Sequence, residues 1–453
     1  MAPSSSRWAI PLAASVAGAL VAMSLTALAS SQKPSAAGAS ARPGVAADRW
    51  DDEDNGLVRQ GKQTFRFDTF GDQAFWGGTL HLNQTIAGAA NGGIGPGLSP
   101  KTALALGLKV DVNALPAAVK QGILSGTINL DDPGTTLALL KLNAVVGVKG
   151  FFDGNGNLNS VGIECALCHS TVDNSFAPGI GHRLDGWANR DLNVGAIIGF
   201  APNLQPIASV LHTDVPTVLK VLNAWGPGKF DAELLLDGKG FRPDGTTAAA
   251  LIPPAFGLAG VNLHTYTGWG SIPYWNAFVA VLEMHGQGTF FDPRLDNAQQ
   301  FPIAAENNFG HVTANPDLVT PTLPGLQAYE LSLQAPAPPP GSFDPVAAAA
   351  GKVLFDGQAE CSTCHVPPIF TAPGNNLVPP SAIGIDSFEA DRSPTHMYRI
   401  TPLAGLWTHQ KGGFYHDGRF PTLLSVVQHY NTVFNLNLTP AQENDLVQYL
   451  LSI

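Results

Sequence analysis

The apolar positions of this chain fall into helical stripes. Thr439, Pro440 and Gln442 form a capping box, and Leu446, Val447, Leu450 and Leu451 then share one face, which predicts a C-terminal helix. Upstream, Leu423, Val426, Val427, Tyr430 and Phe434 line one face of a helix beginning near Thr422. The segment "DPVAAAAGKVLF" starts another: Asp344 can cap, Pro345 suits the first turn, and the alanines propagate it towards Cys361. Far earlier, "GLVRQGKQTFRFDTFGDQAFWG" from Gly56 opens as a helix and gives way to Gly-rich turns. No stretch alternates strongly enough to build a sheet, so the expected fold class is all-α.

The same pattern sets the boundaries. Arg7 precedes an Ala/Leu/Val-rich run from Trp8 to Ala29 that ends small-x-small at Ala27-Leu28-Ala29, which reads as a secretory signal over 1–29. The competing reading is an uncleaved membrane anchor, which Pro11, Ser15, Ser24 and Thr26 weaken. Residues 30–50 are Ser/Ala/Gly/Pro-rich and read as a flexible linker. Residues 51–160 form an N-terminal extension, and its "DGNGN" at Asp153 to Asn157 reads as a plain turn, because Leu158 occupies the position where a calcium loop needs Gly. A Pro-rich spacer over 334–343 separates residues 161–333 from residues 344–453.

Only 13% of the 453 residues are charged and the net charge is -11, which excludes a nucleic-acid partner and gives no basic surface for anionic lipid. The chemistry lies in the four cysteines, all spent on two copies of Cys-x-x-Cys-His: "IECALCHST" and "AECSTCHVP". A redox dithiol or a disulfide would not need the histidines, and a four-cysteine zinc site joining the pairs would leave both unexplained. Covalent haem attachment uses every residue: Cys165 and Cys168 would bond one haem above His169, and Cys361 and Cys364 a second above His365. Export fits this chemistry, so the expected location is periplasmic or secreted. The residue facing each iron from the far side decides between electron transfer and reaction with peroxide or oxygen. Outside the leader only Met284 and Met397 could serve as thioether ligands.

"GIGHRLDGWANRDLN" after the first motif and "TPLAGLWTHQKGGFYHDGRFPTLLSVVQHYN" after the second, taken with both motifs, resemble the bacterial dihaem cytochrome c peroxidase and MauG superfamily. The resemblance covers residues 160–200 and 345–453 best. It implies two cytochrome c-like haem domains, 161–333 and 344–453, meeting near the "GHRLDGWANRD" loop, with each haem on the first helix of its domain. It further implies that Tyr430, fourteen positions after His416 of the His-Asp-Gly motif, ligates the second iron, with His429 and Met397 as the alternatives. His182 matches the distal histidine of the first haem in a loop three residues shorter than the family's, and its alternative role is a bond to backbone. Asn189 matches a calcium ligand between the haems, with Thr408 near another such position.

The stretch "LHTYTGWGSIPYWNAFVAVLEMHGQGTFFDP" is dense in aromatics, with Trp275 and Phe290 the candidates for a distal pocket wall and ordinary core packing as the other reading. It also resembles the dihaem rubber oxygenases, which are longer beyond the second motif. The family's distal acid has no motif here; Glu233 and Glu283 are the nearest acidic candidates. The expected function is peroxide reduction at one haem with electrons passed through the other, drawn from a periplasmic donor such as a small cytochrome or cupredoxin. The rivals are a dihaem electron carrier and an oxygenase acting on an apolar substrate.

Overall fold

The computed structural model describes residues 56–453, Pro373 excepted; the leader and linker expected over 1–50 lie outside the described residues. The first helix, α1 (Gly56–Phe67), is followed by small helices and turns and by an antiparallel hairpin, β1 (Val148–Phe152) and β2 (Leu158–Ile163). Asp153 to Asn157 make its turn, with Asp153 Oδ1 accepting from the Asn155 and Asn157 amides at 2.9 Å. The expected plain turn is therefore what forms. After β2 come the helical turn α2 (Ala166–His169), then β3 (Ser170–Val172) paired with β4 (Arg183–Asp185).

The middle of the chain supplies α3 (Ile272–Phe278), which runs into a wider π-type turn at Val279–Glu283, and then α4 (Leu323–Ser332). Three C-terminal helices complete the frame: α5 (Pro345–Asp356), α6 (Leu423–Val433) and α7 (Pro440–Ser452). The caps at Asp344 and Thr439 are those the sequence predicts, and Thr422, near which the sequence begins α6, caps that helix too: each side chain accepts from first-turn amides.

The fold is predominantly helical, but "all-α" needs a correction: six two-stranded ribbons occur among the described residues. Their sequences hide them. Most have only two or three residues per strand, and in β1 the bulge at Phe151/Phe152 breaks the alternation that would mark a longer strand.

Two helix pairs repeat one packing. α1 lies along α4, and α5 lies along α7. At each crossing stands a glycine, Gly61 or Gly351, where a Cβ would collide with the carbonyl oxygen of Gly325 or Asp445 respectively. Part of the segment read as an extension thus contributes its first helix to the body that carries the first Cys-x-x-Cys-His. Gly351→Ala is expected to cost about 1–3 kcal/mol by forcing α5 off α7. A denaturant midpoint equal to the parent's would show that the helices separate without penalty.

A second repeat follows each motif. Residues 264–270 and 414–420 are closed by the bridges His264↔Gly270 and Phe414↔Phe420. Thr265 and Tyr415 take matching left-handed conformations, at φ 65° and 67°. Each turn leads into a helix capped by a hydroxyl, Ser271 for α3 and Thr422 for α6. Tyr266 in the first copy therefore stands where His416 stands in the second.

Candidate haem sites

The first motif is folded as a short turn rather than on the first long helix of its unit, which corrects the expectation. The β1–β2 hairpin delivers Cys165, and α2 carries Cys168 and His169. The loop that follows β4 clamps it: Asn189 N–H donates to the Cys168 carbonyl and Gly186 N–H to the His169 carbonyl, both at 2.8 Å. Cys168 packs against one apolar core that includes Leu167 and Trp225, and Cys165 against another that includes Ala166, Trp275 and Phe290. Asp185 ties the neighbourhood together, accepting from Arg66 of α1, Tyr329 of α4 and Ser170 of β3.

His169 Nδ1 lies 3.1 Å from the Pro253 carbonyl oxygen. A carbonyl only accepts, so Nδ1 carries the hydrogen and Nε2 keeps its lone pair. Burial lowers the ring's pKa to about 4, so the imidazole is neutral, the form that binds a metal. Burial also pushes the Cys165 thiol up and the Cys168 thiol up to about 12.

The second motif repeats this arrangement. Cys361 opens a 3-10 turn five residues beyond α5, and His365 Nδ1 donates to the Phe370 carbonyl at 3.1 Å, with the Thr401 backbone as a further neighbour of the ring. Cys361, Cys364 and His365 line a cavity of about 590 Å³, a volume suited to a cofactor. Tyr430 of α6 lines the same cavity, stacked on Phe434 at 5.5 Å, and burial raises its phenol pKa so that the proton stays on.

The alternatives to Tyr430 are directed elsewhere. His429 Nε2 is 2.8 Å from the Ile383 carbonyl, and neither His429 nor Met397 lines the cavity. His416 does line it, 2% exposed, stacked on Tyr398 with ring centroids 5.2 Å apart; burial lowers its pKa to about 4.

Other expectations fare differently. His182 is exposed, its Nδ1 held 3.0 Å from Asp173 Oδ2 and 3.0 Å from Ser175 Oγ. The short loop folds back on itself, the Asp173 amide donating to the His182 carbonyl and the His182 amide to Asp173 Oδ1, and so turns the ring to the surface instead of to the first motif. Trp275 and Phe290 are buried in the aromatic core against which Cys165 packs, with Trp275 5.2 Å from Trp269 and 5.1 Å from Phe278.

Asn189 donates through Nδ2 to the Gly107 carbonyl, while its Oδ1 is buried without a partner. One free oxygen is far from the six to eight that calcium takes. The nearby charges are also cationic: Asp191 is already paired with Lys109 at 2.6 Å and with Lys411 of the "HQKGG" insertion. These residues do not fit a calcium ion.

Glu233 and Glu283, distant in sequence, share one buried acidic neighbourhood. Burial raises Glu233 to about 7, and burial with the charges of Glu233 and Asp231 raises Glu283 well above the carboxylate range. Arg392 is the cation at its centre, and nothing in the sequence around it announces that role. Repeat symmetry is the signal that reading the motifs singly missed. Eight positions after the cap of α6 comes Tyr430; eight after the cap of α3 comes Val279, and fourteen after Tyr266 comes Ala280, both apolar.

The cavity at the second motif fits a haem on the structure's own terms, and the first motif presents the same Cys-x-x-Cys-His set of donors. Each histidine is an oriented ring whose pKa burial lowers. Beside the first motif's aromatic core the indole Nε1 atoms of Trp269 and Trp275 are buried without partners, and at the second cavity so are His409 Nε2 and His416 Nε2.

No family model and no curated protein matches the chain. Among solved structures it is similar to a MauG-like protein associated with microbial copper homeostasis, at 14% identity and a TM-score of 0.30, covering 48% of this chain and 76% of that one. It is also similar to the hydrazine synthase of Kuenenia stuttgartiensis, at 16% identity and a TM-score of 0.27, with the same 48% and 76% coverage. Among the described residues no helix is long and apolar enough to cross a membrane.

Proposed function

We propose that the chain is an exported dihaem c-type oxidoreductase of the cytochrome c peroxidase and MauG type, with two cytochrome c-like haem domains. It takes electrons from a small cytochrome or cupredoxin and delivers them to peroxide or oxygen. The observation that carries this reading is the matched pair of histidines. In each Cys-x-x-Cys-His the Nδ1–H is spent on a backbone carbonyl, which fixes the ring's orientation.

The two sites differ on their far sides, and that difference assigns their roles. Tyr430 offers a phenol oxygen to the second site, which suits a closed iron that stores or passes electrons. In the first copy of the repeat the matching positions are Val279 and Ala280, and His182 is turned to the surface, which suits an iron left open for an oxidant. The bound haem supplies the redox chemistry; the protein's part is to present His169 and to keep water out with the Trp275 and Phe290 wall. Glu233 and Glu283, whose carboxyls burial keeps raised, would be the candidates to hold a proton for the oxidant.

Low-temperature EPR with optical spectra tests the assignment. One high-spin and one low-spin iron are expected; two low-spin irons in the oxidised and half-reduced protein would replace the enzyme with an electron carrier. Tyr430→Phe is expected to alter the spectrum of one haem and leave the other unchanged, and an unaltered pair of spectra would remove Tyr430 as ligand.

A further inference from the structure

The cavity at the second motif has two unlike ends. Leu423, Val427, Leu446 and Leu450 make one wall apolar, whereas Arg190, Arg399 and Tyr266 line another part of the same space. Arg190 is 8% exposed and Arg399 half-buried, and neither has an ion-pair partner among the described residues. Nε and Nη1 of Arg190 and Nε of Arg399 have no hydrogen-bond partner at all, although Arg399 Nη1 does reach the Leu263 carbonyl at 3.0 Å. Burial alone lowers Arg399 to about 10. A guanidinium taken out of water and left unpaired costs several kcal/mol, so two of them opening on one cavity point to an anion that belongs there.

We propose that Arg190 and Arg399 bind the two propionate carboxylates of the haem attached at Cys361 and Cys364, with the Tyr266 hydroxyl between them. This rests on the dihaem reading above and adds the residues that hold the second haem's polar edge. The planar fork of each guanidinium matches a carboxylate, and the charges balance two against two. The position of Arg190 gives the pairing a second consequence. Its neighbour Asn189 clamps the Cys168 carbonyl through its amide, so one turn of backbone grips the first motif and reaches into the second cavity.

The test is an optical redox titration of the purified holoprotein and of Arg190→Gln and Arg399→Gln, with intact mass to count haems. A buried cation beside a haem favours the reduced iron. Each substitution is therefore expected to lower one midpoint potential, changing the reduced-to-oxidised ratio at fixed potential about tenfold, or about 59 mV for one electron. The haem that moves should be the one whose spectrum Tyr430→Phe alters. If both haems are attached and neither potential moves, the arginine assignment is wrong while the dihaem reading stands. If the parent carries no haem at Cys361 and Cys364, that reading fails and takes the assignment with it. Arg190→Lys and Arg399→Lys keep the charge and lose the fork, so they cover the case in which a glutamine variant does not fold. They should shift the propionate bands of the resonance Raman spectrum, and unshifted bands would overturn the proposal.

Discussion

Serine at both Cys165 and Cys168 is expected to remove one of the two haems and, with it, all turnover of peroxide. In the function proposed above the thiols are the attachment points and His169 the ligand of the open site, whereas the second site shares no side chain with this motif. The variant should therefore lose about half of the haem absorbance and the whole high-spin EPR signal, and keep the low-spin spectrum of the haem next to Tyr430. Intact mass gives the count directly. Unchanged turnover with one haem missing would mean that the first site is not where the oxidant reacts, and the roles of the two sites would have to be exchanged. The outcome is informative because the first motif is set between two apolar cores: Cys168 touches one and Cys165 the other, so the emptied site is enclosed by packed side chains.

What could be read in the sequence was whatever depends on near neighbours. The motifs are five residues long, and a cap reads over three or four. Asp344 and Thr439 therefore do what their spacing implies. The stripe through Leu423, Val427 and Tyr430 places the tyrosine in the cavity because α6 keeps one face inward for its whole length.

What could not be read depends on residues brought together from afar. Gly61 meets Gly325 across more than two hundred positions, and a helix that packs through a glycine carries no one-dimensional mark. The cationic end of the cavity joins Arg190 to Arg399, each unremarkable in its own segment. His182 sat in a recognisable motif, yet the chemistry of its loop overrode the motif: Asp173 and Ser175 offered the ring partners closer than any iron. The loop "GHRLDGWANRD" does touch the C-terminal segment. Trp187 meets Trp407 edge-on at 5.4 Å, and the Leu251 amide donates to the His416 carbonyl.

The largest stability effect is expected at Arg392, which joins the C-terminal half to the middle of the chain. Its side chain has no exposure, and it donates to Asp231 Oδ1 and Asp237 Oδ2 at 2.8 Å each and to the Ala248 carbonyl, with Glu389 3.9 Å away. Its own pKa is pushed well above its ordinary value by those carboxylates, which outweigh the opposing effect of burial. Arg392→Met removes the cation and keeps much of the volume, leaving Asp231 buried without a counter-charge and Asp237 with only Lys239, 3.6 Å away. The expected loss is about 3–5 kcal/mol, measured by denaturant unfolding near pH 7. The pH dependence separates charge from packing. Without Arg392 the folded-state pKa of Asp231, already raised by burial, rises further above that of the unfolded chain. The folded protein then holds a proton that the unfolded chain has released, and stability falls as pH climbs from about 4 through the raised value. The penalty should accordingly be smaller at pH 5 than at pH 8. An equal penalty at both would mean that Arg392 acts by filling space, and that the carboxylates around it, Glu233 and Glu283 included, have no need of its charge.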